Sequence, residues 1–210
     1  MTKKEAFKIT GGLSRTTKMP GASYGLPPSH CKTGSKLRKI EGSVCQKCYA
    51  RKGFYTFDSA KGAHSRRIAS LSNPQWVEAM ATLITIATRK EKYFRWHDSG
   101  DIQDIHHLKN IVQVCLKTPD VKHWLPTHEY AIIREYLDEG NIFPDNLVVR
   151  ISSPMIDGKA MNIDLPTSTV SRRKGDVEGY ACPASQQKNK CGSCRACWDA
   201  NVKNVDYKYH

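Results

Sequence analysis

Apolar residues at Trp76, Val77, Met80, Leu83, Ile84 and Ala87 recur every three or four positions, the spacing that lines up side chains along one face of an α-helix. Asn73 and Pro74 stand just before them as an N-cap and a first-turn proline, so the pattern predicts a helix reaching about residue 89. Downstream the period switches back and forth. Residues 93–97 read as a short strand, 105–116 as a helix, 122–126 as a strand, 129–137 as a helix stopped near Gly140, and 147–152 as an apolar strand. Strands alternating with helices at this spacing predict βαβ units and a parallel sheet, an α/β fold resembling part of a TIM barrel. Right-handed crossovers then set successive strands side by side with the helices on one face.

The flanks read differently. Residues 1–44 are rich in Gly, Pro, Ser, Thr and Lys, with a strand expected only near residues 7–9, and helical spacing starts after Cys48 through Tyr49, Phe54 and Ile68. Past Ser153 the chain is polar and irregular. The 210 residues suffice for one domain and not for two ordinary ones. We divide it into a cysteine-bearing loop (1–48), a βα core (49–155) and a Cys-rich C-terminal segment (156–210).

Eight cysteines change the picture. Four of them, Cys182, Cys191, Cys194 and Cys197, close the chain, the last three spaced C-x2-C-x2-C. Two-residue gaps let successive thiolates wrap neighbouring corners of a [4Fe-4S] cluster while a remote cysteine closes the fourth. Four thiolates could also hold zinc, or pair as disulfides. A second group, Cys31, Cys45 and Cys48, supplies three thiolates and no obvious fourth. A cubane on three cysteines keeps one iron open to substrate or S-adenosylmethionine, although these thiols could instead complete the C-terminal site. One cluster or two is therefore expected. Cys115 falls on the apolar face of its helix and reads as packing.

Parallel α/β folds bind ligands beyond the C-terminal ends of their strands. Those ends carry His97-Asp98-Ser99-Gly100-Asp101, then Thr127-His128-Glu129, then Arg150 with Ser152 and Ser153. Asp104 and Thr127 suit helix caps. Asp98, Gly100, Asp101, His128 and Ser152 remain as cofactor-binding candidates: carboxylates can receive an amine or ribose hydroxyls, and glycine permits close approach. Asp101 could equally cap the following turn, and His97 and His128 could be core histidines. His106 and His107, adjacent on a helix, diverge too far to share a metal.

A net charge of +13 favours polyanions, so nucleic acid or a host redox partner could meet a basic surface. The cations are scattered apart from small clusters at residues 36–39 and 171–174. No apolar run is long enough to span a membrane and residues 1–10 lack a signal-peptide core. A reducing cytoplasm is expected, where grouped cysteines bind metal.

Four runs carry a resemblance: LSRTTKMPG at 13–21, CQKCYA at 45–50, RWHDSGD at 95–101 and CPAS followed by NKCGSCRACWD up to residue 199. Together they resemble the gene product 88 family of tailed-phage proteins, which implies a phage-encoded protein in host cytoplasm. More distantly the chain is similar to radical S-adenosylmethionine-like phage proteins, whose early cysteines end in a comparable CysTyrAla before α/β barrel units. That likeness implies Cys31, Cys45 and Cys48 as cluster ligands and residues 98–101 beside the cofactor's amino acid moiety. The expected function is iron–sulfur cluster binding, with a radical enzyme, a non-catalytic electron-transfer or regulatory protein, and a zinc-stabilised nucleic-acid-binding module all open.

Overall fold

In a computed structural model, residues 1–172 and 178–209 are described. Arg173 and Lys174 of the second basic cluster lie outside them.

The chain opens with a helix, α1 (Lys3–Thr10), where alternation had suggested a strand. A capping box explains the difference: Thr2 Oγ1 accepts from the Glu5 N–H at 3.3 Å, while Glu5 accepts from the Thr2 N–H at 2.8 Å. Then come β1 (Ala22–Tyr24), α2 (Lys32–Leu37), α3 (Asp58–Ser70), α4 (Trp76–Ala87), β2 (Tyr93–Trp96), α5 (Ile105–Lys117), β3 (Lys122–Thr127), α6 (Tyr130–Asp138) and β4 (Leu147–Ile156). The expected order of elements holds from residue 76 to 156. Two details shift. Helical spacing just after Cys48 resolves into short 3-10 turns, Tyr49–Arg51 and Gly53–Thr56. The Asn73 side chain accepts from the Gln75 N–H at 2.9 Å, so α4 begins at Trp76, later than Pro74 suggested.

Past Ser153 the chain is more regular than its composition suggests, adding β5 (Thr167–Ser171), β6 (Tyr180–Ala181) and β7 (Asn204–Lys208). These strands are polar yet buried, because they satisfy one another sideways. Thr169 and Ser171 each donate to Asp206 at 2.7 Å, and Thr167 donates to Asn204 at 2.9 Å. A search for apolar alternation misses such strands.

Among the described residues, seven strands form one sheet in the order β1-β2-β3-β4-β5-β7-β6, every pair parallel. The sheet is open and not closed into a barrel, β1 and β6 being its edges. Period-two alternation sorts its side chains. Phe94, Trp96, Leu125, Leu147, Val149 and Ile151 face a core shared with α4, α5 and α6. On the other face Trp124 and Val205 pack against Ala196, Cys197 and Trp198, with Tyr93 and Tyr207 alongside. The C-terminal segment therefore covers that face of the sheet.

Arg150 fastens it there. Fully buried, it donates to the carbonyls of Thr167 (2.8 Å), Val202 (3.0 Å), Asp199 (3.1 Å) and Ala196 (3.2 Å). Hydrogen bonds from a charged donor are worth ~1.5–3 kcal/mol each, and a carbonyl left buried without one costs a comparable amount. Arg150→Met should lower the free energy of unfolding in urea by about 3 kcal/mol or more. A midpoint close to wild type would contradict this account of the segment.

Candidate metal centres

The first cysteine group sits across the C-terminal ends of three strands. Cys31 leads into α2, and two residues on Thr33 gives its N–H and hydroxyl to the two Glu129 carboxylate oxygens at 2.8 and 2.7 Å, just beyond β3. Residues 42–44 pair with the end of β4: the Val44 N–H donates to the Pro154 carbonyl and the Ile156 N–H to that of Gly42, both at 2.9 Å. Tyr49, next to Cys48, donates to the Asp98 carbonyl beyond β2 at 2.5 Å. Three strand ends thus fix a loop that spacing alone leaves free.

Gly34 has a particular place in it. A Cβ there would lie 3.1 Å from Cys31 Cβ, 3.5 Å from Cys45 Sγ and 3.8 Å from Cys31 Sγ. Any side chain would enter the space between the sulfurs. Burial pushes the Cys31 thiol up to about 12, and Asp101, Cys48, Cys45 and Glu129 add to the effect. Burial likewise pushes Cys45 up to about 12, with Cys48, Asp101 and Glu129 contributing. The three sulfurs feel one another, and as thiolates they would need a cationic centre among them.

The second group lies on the face of the sheet opposite α4, α5 and α6. The Cys182 N–H donates to the Asp206 carbonyl and the Cys191 N–H to that of Lys18, both at 2.8 Å, and the Cys194 N–H closes a turn onto the Cys191 carbonyl at 3.0 Å. Cys197 is buried in a 3-10 turn, Ala196–Trp198, with its sulfur 3.1 Å from the Tyr207 hydroxyl. Burial pushes its thiol up to about 12. Burial also raises Cys182 and Cys191, with other sulfurs of the group adding to it. Trp198 donates to the Phe94 carbonyl at 2.8 Å and its ring packs 5.2 Å from Trp124, which seats the group on the sheet. Cys194 lines a cleft of about 600 Å³ with Tyr93, Tyr180, Trp198 and Lys122.

Among the described residues, no three His, Cys, Asp or Glu side chains are grouped as ligands of a metal ion. Around one zinc ion, Zn–S bonds of about 2.3 Å hold sulfurs within roughly 4 Å of each other. Cysteines on a cubane each take a separate iron, so their sulfurs stand farther apart. In each group the thiols lie within electrostatic reach of one another, and in the first group Gly34 leaves the space beside Cys31 and Cys45 clear of a side chain.

The strand-end candidates divide. Asp101 is fully engaged by the chain: its carboxylate accepts from Thr127 Oγ1 at 2.6 Å, the Ile102 N–H at 2.8 Å and the His128 N–H at 2.9 Å. Gly100 has φ +74°, and a Cβ there would meet Leu26 Cβ at 2.6 Å, so its small size serves Leu26. Asp98 accepts from the Tyr55 hydroxyl at 3.1 Å, while its Oδ1 is buried with no partner among the described residues, against Gly25. His128 and Ser152 are neighbours across the β3 and β4 ends, and burial lowers the His128 pKa. Ser152 accepts from Ser168 at 3.2 Å. His97 does not join them; it turns toward the helices, its ring 5.4 Å from His107. Asp104 caps α5 as expected, accepting from the His107 N–H at 2.7 Å, and Cys115 is core.

Thr33 and Gly34 escaped the sequence reading, and Glu129, Tyr49 and Arg95 stood in runs it quoted without being given a role. Arg95 donates to the Tyr49 hydroxyl at 3.3 Å and stacks 4.5 Å over Trp124, between the two cysteine groups. For Glu129 a signal existed, since it directly follows a strand end already under suspicion. For Arg95 none did.

Asp101 offers a test by pH. Burial outweighs its three hydrogen bonds and, with Glu129 nearby, raises the carboxyl from 3.8 to about 7. Its stabilising share is present in full below about pH 4, where both folded and unfolded chains hold the proton, and is lost as pH rises through about 7. In metal-free protein, wild type should lose stability between pH 4 and 7 relative to Asp101→Asn, as read from melting temperatures. Parallel pH profiles for the two would contradict the burial argument.

No curated protein and no solved structure significantly matches the chain. The family model described as Gene product 88 matches residues 1–200. That span includes every cysteine and every strand but β7, and so the chain belongs to the gene product 88 family, the phage family its motifs resemble.

Proposed function

We propose that this protein binds iron–sulfur clusters at two places: an open cluster on Cys31, Cys45 and Cys48, and a closed one on Cys182, Cys191, Cys194 and Cys197. The observation that carries the reading is the triad's anchorage. Three cysteines are held over the C-terminal ends of β2, β3 and β4, where α/β folds do their chemistry, with glycine at the position that would otherwise fill the gap between sulfurs. The four-cysteine group rests on another surface of the sheet and contacts its own members, which favours two centres over one.

When bound, a cubane with one open iron supplies an electron and a chelating corner for an amino acid moiety such as that of S-adenosylmethionine. The chain's own residues hold and shelter that corner. Glu129 fixes the start of α2 through Thr33, and Tyr49 fixes Cys48 against Asp98. Asp98 Oδ1, buried with no partner among the described residues, is a carboxylate oxygen with a hydrogen bond still to accept beside that corner. At the C-terminal group, the cleft beside Cys194 would admit a reductant to the closed cluster.

Protein purified without oxygen should hold about eight irons and eight sulfides per chain, about four of each per cubane. Cys45→Ala and Cys194→Ala should each lose about half, from different centres, and S-adenosylmethionine should alter the electron paramagnetic resonance signal only where Cys45 is intact. Zinc with no sulfide would contradict the proposal. Iron in wild type that survives both substitutions would contradict the ligand assignment. Gly34→Val should deplete the open cluster alone, leaving the Cys194-dependent iron in place.

A further inference from the structure

The triad's surroundings carry a second kind of information. Residues 31–57 hold seven Lys and Arg against one acid, Glu41, in a chain whose whole net charge is +13. All seven cations are exposed. Large apolar side chains are exposed among them: Phe54 is 80% exposed, Tyr49 57%, Phe57 55% and Ile40 47%. A cation run alone is ordinarily a solvated surface. Aromatic rings held out to water among those cations require a different reason.

These rings are held in place. Tyr49 and Tyr55 both bond Asp98 through their hydroxyls, and their rings meet edge to face at 5.8 Å. Phe54 and Phe57 meet edge to face at 5.2 Å on the adjoining turn. Gly53, at φ +56° with nothing within 4 Å of the place a Cβ would take, turns the chain outward between them. The result is an exposed aromatic platform, tied to the β2 strand end through Tyr49 and Tyr55, with cations interleaved along the same stretch of chain.

We infer that this surface binds single-stranded nucleic acid. Unpaired bases offer flat apolar faces to aromatic rings while their phosphates meet Lys and Arg, and every base can stack, so such surfaces need no sequence preference. A duplex hides the base faces inside its stack. A lipid surface is disfavoured because cations and aromatics are interleaved through short 3-10 turns here, whereas membrane-surface helices separate an apolar face from a charged one. Binding as such stands on this platform alone. That a nucleotide strand is the substrate of the neighbouring cysteine site rests, in addition, on the reading proposed above.

The test is fluorescence anisotropy of labelled dT20 and U20 single strands, and of a duplex of the same length, with the full chain over a series of salt concentrations. The single strands should bind more tightly than the duplex. Phe54→Ala/Phe57→Ala should weaken single-strand binding by about tenfold or more. Arg51→Glu/Lys52→Glu should weaken it and flatten its dependence on salt. Failure of the single strands to bind at 50 mM salt, equal affinity for duplex, or indifference to the phenylalanine changes would overturn the inference, as would tighter binding to phosphatidylserine vesicles or to polyglutamate. Iron and sulfide content of the same preparations separates the two proposals. Strand binding without iron sustains this one and removes the clusters; iron without strand binding does the reverse.

Discussion

A parallel sheet has two faces to bury, and this chain has enough helix for one. The other is covered by the C-terminal segment, which is short in apolar residues and cannot dock by hydrophobic area alone. It docks through a few strong contacts: the Trp124–Trp198 pair, the Trp198 indole on the Phe94 carbonyl, and Arg150 gathering four carbonyls from beneath. Where a cluster binds the four terminal cysteines, its binding energy is added to that docking, since ligands brought together only in the folded state couple metal binding to folding.

The same constraint explains the spacing of the cysteine groups. A segment laid along the face opposite the helices leaves the strand ends uncovered, and the loop carrying Cys31, Cys45 and Cys48 closes them. Arg95 lies where these two coverings meet, touching Tyr49 of one and stacking on Trp124 beneath the other. Its guanidinium brings positive charge toward Cys191 and Cys197 of the C-terminal group. Burial of thiols without such charge, or without a bound metal, keeps them protonated.

Much of the core was legible because its signals are local. Trp76, Met80, Leu83 and Ile84 mark one helix face unaided, and the alternation from residue 93 to 152 locates the parallel strands. What escaped depends on distant partners. The strands β5 and β7 are buried through Thr169, Ser171 and Asp206, polar residues whose pairing lies 35 or more positions apart. The α1 helix hid behind an alternating Phe7-Lys8-Ile9 run, although its Thr2–Glu5 box was there to read. At the candidate site the cysteines themselves could be named from spacing, but the Glu129–Thr33 clamp joins residues 96 apart and has no local trace. Asp101 and Gly100 drew attention as ligands, and the fold employs them to bind its own loops.

The proposal that most needs direct proof is an iron centre over the strand ends on Cys31, Cys45 and Cys48. Crystals grown without oxygen, with diffraction recorded on either side of the iron absorption edge, would locate it directly. An iron-specific anomalous peak is expected beside Gly34, within bonding distance of those three sulfurs, and a second at Cys182, Cys191, Cys194 and Cys197. Anomalous density only at the C-terminal group, or a peak at the zinc edge in place of iron, would contradict it.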